Sequence, residues 1–80
     1  MNLILYYKPT CPYCQKVLTF MESAGITLPL KNIAESINVR EELIKIGGKP
    51  QVPCLVINGK AMYESDDIIT WLKQNVSKPS

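Results

Sequence analysis

The chain has 80 residues, which is enough for one small domain. Hydrophobic residues make up 46% of it and charged residues 20%, proportions that exclude a disordered segment. The formal net charge of +2 is too small for a nucleic-acid-binding surface. Because no histidine is present, Ser-His-Asp and Cys-His catalysis and every zinc site that needs imidazole are excluded.

The three cysteines are too few for a disulfide framework, and their number is odd. Residues 1–7 lack the basic segment and the cleavage site of a signal peptide, and no stretch approaches the roughly 20 apolar residues of a membrane span. We therefore expect one cytoplasmic domain over residues 1–80, with no membrane partner. In that compartment paired cysteines are more often redox-active than structural.

The first half of the chain predicts a strand, a helix and a second strand. Leu3 to Tyr7 form a continuous apolar run typical of a buried strand. Pro12 suits the first position of a helix, and Gly25 suits its end. Residues 28–33 form a plausible second strand, although Pro29 weakens its start.

The next segment predicts a helix followed by a hairpin. Asn38 with Glu41 three residues later resembles a helix N-terminus, and the two glycines at 47 and 48 end that helix. Residues 55–57 and 60–63 read as strands. Asn58 and Gly59 between them form a strong signal for a two-residue hairpin turn.

A last helix is expected after residue 64. Ser65 can cap it, and Asp66 and Asp67 suit its first turn, where negative charge is favourable. Residues 75–80 read as a polar tail.

The order is therefore β-α-β-α-β-β-α, an α/β fold. A crossover helix makes the first two strands parallel, with a right-handed connection, and the hairpin makes the last two antiparallel. We expect a four-stranded mixed sheet between helices on both faces.

Cys11 and Cys14 lie at the junction between the first strand and the first helix. At the helix N-cap, the sulfur of Cys11 would face free N–H groups and the positive end of the helix, which favour the thiolate. Cys14 would lie one turn further on, desolvated and protonated, within disulfide distance. A thiolate beside a second thiol is what thiol–disulfide exchange requires.

Other interpretations of this pair remain open. The pair could supply two ligands of a zinc site, but zinc needs four, and Cys54 is the only further cysteine. An inert structural pair is the second alternative. Lys8 would lower the pKa of the Cys11 thiolate and hold a carboxylate, or it is a solvated loop lysine.

Three segments carry a family resemblance: Lys8-Pro9-Thr10-Cys11-Pro12-Tyr13-Cys14, Gln51-Val52-Pro53 and Glu64-Ser65-Asp66-Asp67-Ile68. Together they resemble the signature segments of small dithiol glutaredoxins, over residues 1 to about 76. The variant Gly48-Lys49-Pro50-Gln51-Val52-Pro53, with Tyr63-Glu64-Ser65, is similar to glutathione-transferase-like glutaredoxins and to the N-terminal domain of glutathione transferases, whose C-terminal helical domain we expect to be missing. Thioredoxin is disfavoured, because Thr10 rather than tryptophan precedes Cys11.

The resemblance implies a thioredoxin fold and catalysis by Cys11 and Cys14. It also implies a glutathione site formed by Lys8, Pro12, Tyr13, Gln51, Val52, Pro53, Glu64, Ser65 and Asp66.

Within that site, a cis peptide before Pro53 would leave the Val52 backbone free to pair with the tripeptide. Ser65 and Asp66 would receive its γ-glutamyl end, unless they, like Asp67, only cap the helix. Tyr13 would shield the bound sulfur. Gln51 departs from the threonine commonest in small glutaredoxins.

Cys54 follows Pro53 and enters the apolar run of the third strand. Strand alternation turns it away from the face that Pro53 presents. It is a buried small hydrophobic residue, a regulatory or glutathionylated thiol, or a partner in a bridge to Cys11 or Cys14.

The leading hypothesis is a monomeric glutathione-dependent oxidoreductase that reduces protein disulfides and glutathione mixed disulfides, with glutathione as reducing cosubstrate and no metal. One alternative is a thiol reductase that takes electrons from a thioredoxin reductase. The other is an iron–sulfur carrier bridging two chains through Cys11 and glutathione, although members of that kind usually have a smaller residue than Pro12.

Overall fold

The described residues form four strands and three helices in the order that the sequence predicts. The structure is a computed structural model and describes residues 2–76. The elements are β1 (Leu3–Tyr7), α1 (Pro12–Ala24), β2 (Leu30–Asn32), α2 (Ile37–Gly47), β3 (Cys54–Ile57), β4 (Lys60–Met62) and α3 (Ser65–Asn75).

The sheet has the strand order β2-β1-β3-β4. β1 pairs with β2 in parallel and with β3 antiparallel, and β3 pairs with β4 antiparallel, which confirms the predicted mixed sheet. The turn between β3 and β4 places Asn58 and Gly59 at φ values of 50° and 85°. These are the positive φ values that a two-residue hairpin turn of this kind requires.

The hydrophobic core consists of two clusters, one on each face of the sheet, because successive strand residues point to opposite faces. The cluster beneath α1 and α3 contains Leu5, Val17, Met21, Ile26, Leu55, Ile68 and Leu72. The cluster beneath α2 contains Tyr6, Leu43, Cys54 and Val56. The expected arrangement, with helices on both faces, is confirmed.

Several element boundaries differ from prediction. β2 spans three residues instead of 28–33, because Pro29 has no N–H to donate, although its carbonyl oxygen accepts from Leu5 N at 2.9 Å. The N-cap of α2 is Ser36 and not Asn38, since the Ser36 hydroxyl accepts from Asn38 N at 3.1 Å.

The start of α3 also differs. Ser65, the predicted cap, is the first residue of the helix, and Glu64 is its N-cap. Smaller differences affect the other ends: β3 begins one residue early at Cys54, β4 ends at Met62, and α3 includes Asn75, the first residue of the expected tail. Residues 77–80 of that tail lie outside the described residues.

Within residues 2–76, no helix is long and apolar enough to cross a membrane.

Candidate active site

Cys11 is placed by the turn that joins β1 to α1. Its N–H donates to the carbonyl oxygen of Lys8 at 3.1 Å, which closes the turn. Its backbone is extended, at φ −87° and ψ 120°, and Pro12 begins the helix. Cys11 is therefore the N-cap of α1, the position predicted from the sequence, and its side chain is partly exposed.

The pKa of Cys11 lies below the ordinary value for a thiol. Partial burial acts in the opposite direction and is the largest single influence. It is outweighed by the N–H groups of Cys14 and Tyr13, the thiol of Cys14 and the positive charge of Lys8. The free donors of the first helical turn therefore favour the thiolate, and Lys8 adds to their effect.

Cys14 has the opposite character. Its side chain is fully buried, and burial, together with a smaller effect of the neighbouring Cys11, raises the pKa of its thiol to about 12. Both cysteines are free thiols. One group that ionises readily lies beside one that stays protonated, an arrangement suited to attack by Cys11 and resolution by Cys14.

The loop before β3 lies beside Cys11. The Val52–Pro53 peptide bond is cis, as the resemblance implies. The Cys11 thiol donates to the carbonyl oxygen of Val52 at 3.9 Å, and Pro53 is buried. The loop thus brings the carbonyl group of Val52 next to the Cys11 sulfur.

A groove of about 330 Å³ extends between this loop, α1 and the start of α3. Its lining residues are Tyr13, Lys16, Gln51, Val52, Pro53, Glu64, Ser65 and Asp66. Seven of these eight come from the predicted set. Lys8 and Pro12 do not line the groove: Lys8 is exposed in the turn before Cys11, and Pro12 is the first residue of α1.

Lys16 is the groove residue that sequence reasoning missed. It lies three residues after Tyr13, on the same face of α1, and that spacing is the one signal from which it could have been found. Its Nζ lies 2.5 Å from Oδ1 of Asp66, so the ion pair joins α1 to α3 across the groove.

The acidic segment at the start of α3 has an unusual backbone. Glu64 adopts φ 70° and ψ 113°, a combination that is rare for residues other than glycine. Ser65 is buried, whereas Asp66 is exposed and lines the groove. Asp67 is exposed and does not line the groove.

Cys54 lies on the other face of the sheet. It is fully buried in the cluster beneath α2, opposite Tyr6 in the β1–β3 register, and it is a free thiol. Burial raises the pKa of its thiol. The expectation that Cys54 points away from the groove is confirmed.

Among residues 2–76, no three cysteine, aspartate or glutamate side chains are grouped closely enough to hold a metal ion.

Comparison with known proteins supports a family assignment. The family model of the glutathione S-transferase N-terminal domain matches residues 5–80. Glutaredoxin 3 of Escherichia coli strain K12 is 33% identical over 67 residues, which cover 84% of this chain and 81% of that protein.

Solved structures agree with this assignment. A delta-class glutathione transferase from Nilaparvata lugens is 31% identical, with a TM-score of 0.78 over 98% of this chain. The chain spans only 38% of that transferase. A thioredoxin-like protein that is 22% identical has a TM-score of 0.74, over 91% of this chain and 96% of its own, which shows the shared fold. The chain thus belongs to the thioredoxin-fold thiol oxidoreductase family that unites glutaredoxins with the N-terminal domain of glutathione S-transferases.

Proposed function

We propose that the protein is a glutathione-dependent thiol–disulfide oxidoreductase that reduces glutathione mixed disulfides and protein disulfides. The observation that carries the proposal is the position of Cys11. Its sulfur, with a lowered pKa, lies next to Val52 at a groove that ends in a serine and acidic side chains.

The groove suits a tripeptide with a charged amino-acid end. The backbone of Val52 pairs with the extended peptide as an added strand would. The N–H groups at the start of α3 and the Ser65 hydroxyl receive the α-carboxylate, and Asp66, with Glu64, receives the α-ammonium. Gln51 binds the glycyl end, and Tyr13, which is 65% exposed, covers the sulfur. Lys8 and Pro12 act from outside the groove lining: both lie beside Cys11, where Lys8 attracts the glycyl carboxylate and Pro12 contacts the bound sulfur.

The reaction proceeds by two exchanges. The Cys11 thiolate attacks the glutathionyl sulfur of a mixed disulfide, and the substrate leaves as a thiolate that takes up a proton. The thiolate of a second glutathione then attacks the same glutathionyl sulfur, which releases glutathione disulfide and restores the Cys11 thiolate. For a protein disulfide, the Cys11 thiolate attacks one substrate sulfur, which breaks the substrate disulfide and releases its other sulfur as a thiolate that takes up a proton. Cys14 then loses its proton and attacks the Cys11 sulfur, which breaks the mixed disulfide and releases the second substrate sulfur as a thiol. The resulting Cys11–Cys14 disulfide is reduced by two glutathione molecules.

Turnover of a glutathionylated peptide tests the proposal, with glutathione, glutathione reductase and NADPH as the electron source. We expect Cys11→Ser to abolish turnover and Cys14→Ser to keep much of it, because free glutathione can replace the resolving thiol. Cys54→Ala is the matched cysteine control. Turnover that survives Cys11→Ser, or reduction by thioredoxin reductase with none by glutathione, would contradict the proposal.

We further propose that the protein acts as a cytoplasmic monomer, with glutathionylated or disulfide-containing proteins as substrates. Three free thiols support a reducing compartment.

A further inference from the structure

The groove carries side chains of both charge signs, contributed by different helices. Among the described residues that line it, Lys16 carries a positive charge, and Glu64 and Asp66 carry negative charges. Lys16 and Asp66 come from different helices and meet at 2.5 Å. Both side chains remain more than half exposed, at 54% and 80%, so a ligand in the groove can reach either of them.

The pair keeps unused hydrogen-bonding capacity. An ammonium group has three protons and a carboxylate has two oxygens, whereas the Lys16–Asp66 contact uses one of each. An incoming ammonium can bind the second oxygen of Asp66 while an incoming carboxylate binds a second proton of Lys16. The four charged groups then form a ring in which positive and negative charges alternate. The Lys16–Asp66 ion pair stays intact in this ring.

The ligand that completes this ring must carry both charges close together. In an α-amino acid the ammonium and the carboxylate are attached to the same carbon atom, so their separation matches that of a contact ion pair. Of the three residues of glutathione, the γ-glutamyl residue alone has this free amino-acid end. A ligand with one of the two charges would leave either Lys16 or Asp66 without a new partner.

We propose that Lys16 is a specificity-determining residue that binds the α-carboxylate of the γ-glutamyl end, next to Asp66. This inference rests on the proposed function and extends it, because it names the partner of one particular ligand group. The α-carboxylate then lies between Lys16 of α1 and the N–H groups and Ser65 hydroxyl of α3, and the α-ammonium binds Asp66 of α3.

The test compares three disulfide substrates that share one peptide thiol. The first carries glutathione, the second γ-aminobutyryl-cysteinylglycine, which lacks the α-carboxylate, and the third glutaryl-cysteinylglycine, which lacks the α-ammonium. We expect Lys16→Met to lower kcat/KM about fivefold with the first and third substrates, the size of effect of one exposed ion pair. The loss falls on KM, and the second substrate reacts equally well with the variant and the wild type.

Two further variants serve as controls. Lys45→Met makes the same change in net charge on α2, which covers the opposite face of the sheet, and leaves all three rates unchanged. Lys16→Arg keeps the positive charge and restores most of the lost kcat/KM. Raised ionic strength reduces the difference between wild type and Lys16→Met, since salt screens exposed charges.

The outcomes separate this inference from the proposed function. An equal loss with all three substrates, or a gain in kcat/KM for Lys16→Met, would overturn the inference; a gain would mean that Lys16 blocks Asp66. If the wild type does not distinguish a glutathionylated peptide from the same peptide joined to cysteine, the proposed function itself fails, and this inference with it.

Discussion

The Cys11 and Cys14 thiols lie one turn apart at the start of α1, and their pKa values are shifted in opposite directions. The difference arises from burial and from the helix end. The Cys14 side chain is fully buried, whereas Cys11 is partly exposed and faces N–H groups that donate to no other backbone group. One helix terminus thus gives two identical side chains opposite tendencies to ionise.

The first prediction concerns the pH dependence of alkylation. Thiolate is the reactive form, so the rate of alkylation rises as pH increases through the pKa of the thiol. Because the pKa of Cys11 is lowered, its alkylation by iodoacetamide reaches a plateau with a midpoint below the usual value for a thiol. Mass spectrometry of the Cys11 peptide measures this rate.

Lys8→Met shifts that midpoint upward, since it removes a positive charge that favours the thiolate. Lys60→Met, on β4, makes the same change in net charge without shifting the midpoint. A wild-type midpoint at or above the usual thiol value would contradict the assignment of Cys11 as nucleophile.

The second prediction concerns Cys54, which is fully buried with a raised pKa. In the native protein we expect a charged thiol reagent to leave Cys54 unmodified while Cys11 reacts, and to modify both after denaturation. Cys54→Ser is expected to lower the free energy of unfolding by about 1–3 kcal/mol, because a buried hydroxyl replaces a weakly polar thiol. Urea unfolding measures the loss, and rapid native modification of Cys54 would show that the site opens.

The third prediction concerns the contact between Gly47 and Tyr63. A Cβ atom at position 47 would lie 1.8 Å from the Tyr63 hydroxyl oxygen and 2.9 Å from Cζ, so the ring would have to move. The Tyr63 hydroxyl also donates to the carbonyl oxygen of Lys49 at 3.2 Å. We expect Gly47→Ala to lower the free energy of unfolding by about 1–3 kcal/mol, although alanine is the better helix former.

A double-mutant cycle tests the cause of that loss. In a Tyr63→Phe background the nearest atom is gone, so Gly47→Ala should cost markedly less than in the wild type. Equal losses in the two backgrounds would mean that the Tyr63 hydroxyl is not responsible.

The fourth prediction concerns Glu64, whose φ of 70° is unfavourable for a residue with a side chain. Glu64→Gly is expected to raise the free energy of unfolding by about 1 kcal/mol, because relief of strain exceeds the added entropy of the unfolded chain. Glu64→Gln removes the same charge, keeps the strain and leaves stability nearly unchanged. Urea unfolding measures the free energy of unfolding of both variants. A glycine variant less stable than the glutamine variant would show that the backbone at Glu64 is not strained.

Much of the fold follows from local signals in the sequence. Apolar runs, the Asn58-Gly59 turn and the start and stop signals of the helices predict the order of the elements, because each signal depends on residues close together in the chain. The prediction that Asn38 caps α2 was wrong for a local reason. Both Ser36 and Asn38 are good cap residues, and the hydroxyl of Ser36 reaches the N–H of Asn38.

The parts of the site that were missed depend on contacts between distant residues. Lys16 and Asp66 are 50 positions apart, and only the packing of α1 against α3 brings them together. A lysine on a helix is ordinarily a solvated residue, so its sequence position alone does not indicate a groove. The positive φ of Glu64 is equally unexpected, because glutamate is not among the residues that favour such turns.

The antiparallel register between β1 and β3 has a consequence for engineering this chain. Tyr6 pairs with Cys54, so the segment that follows β1 and the segment that precedes β3 emerge at the same end of the sheet. A shift by one residue would displace Val52 by about 3.3 Å relative to Cys11 and would turn Cys54 toward the opposite face. Extra residues at Asn58 and Gly59, at the far end of β3, leave this spacing intact, whereas a single residue inserted between Pro53 and Cys54 does not.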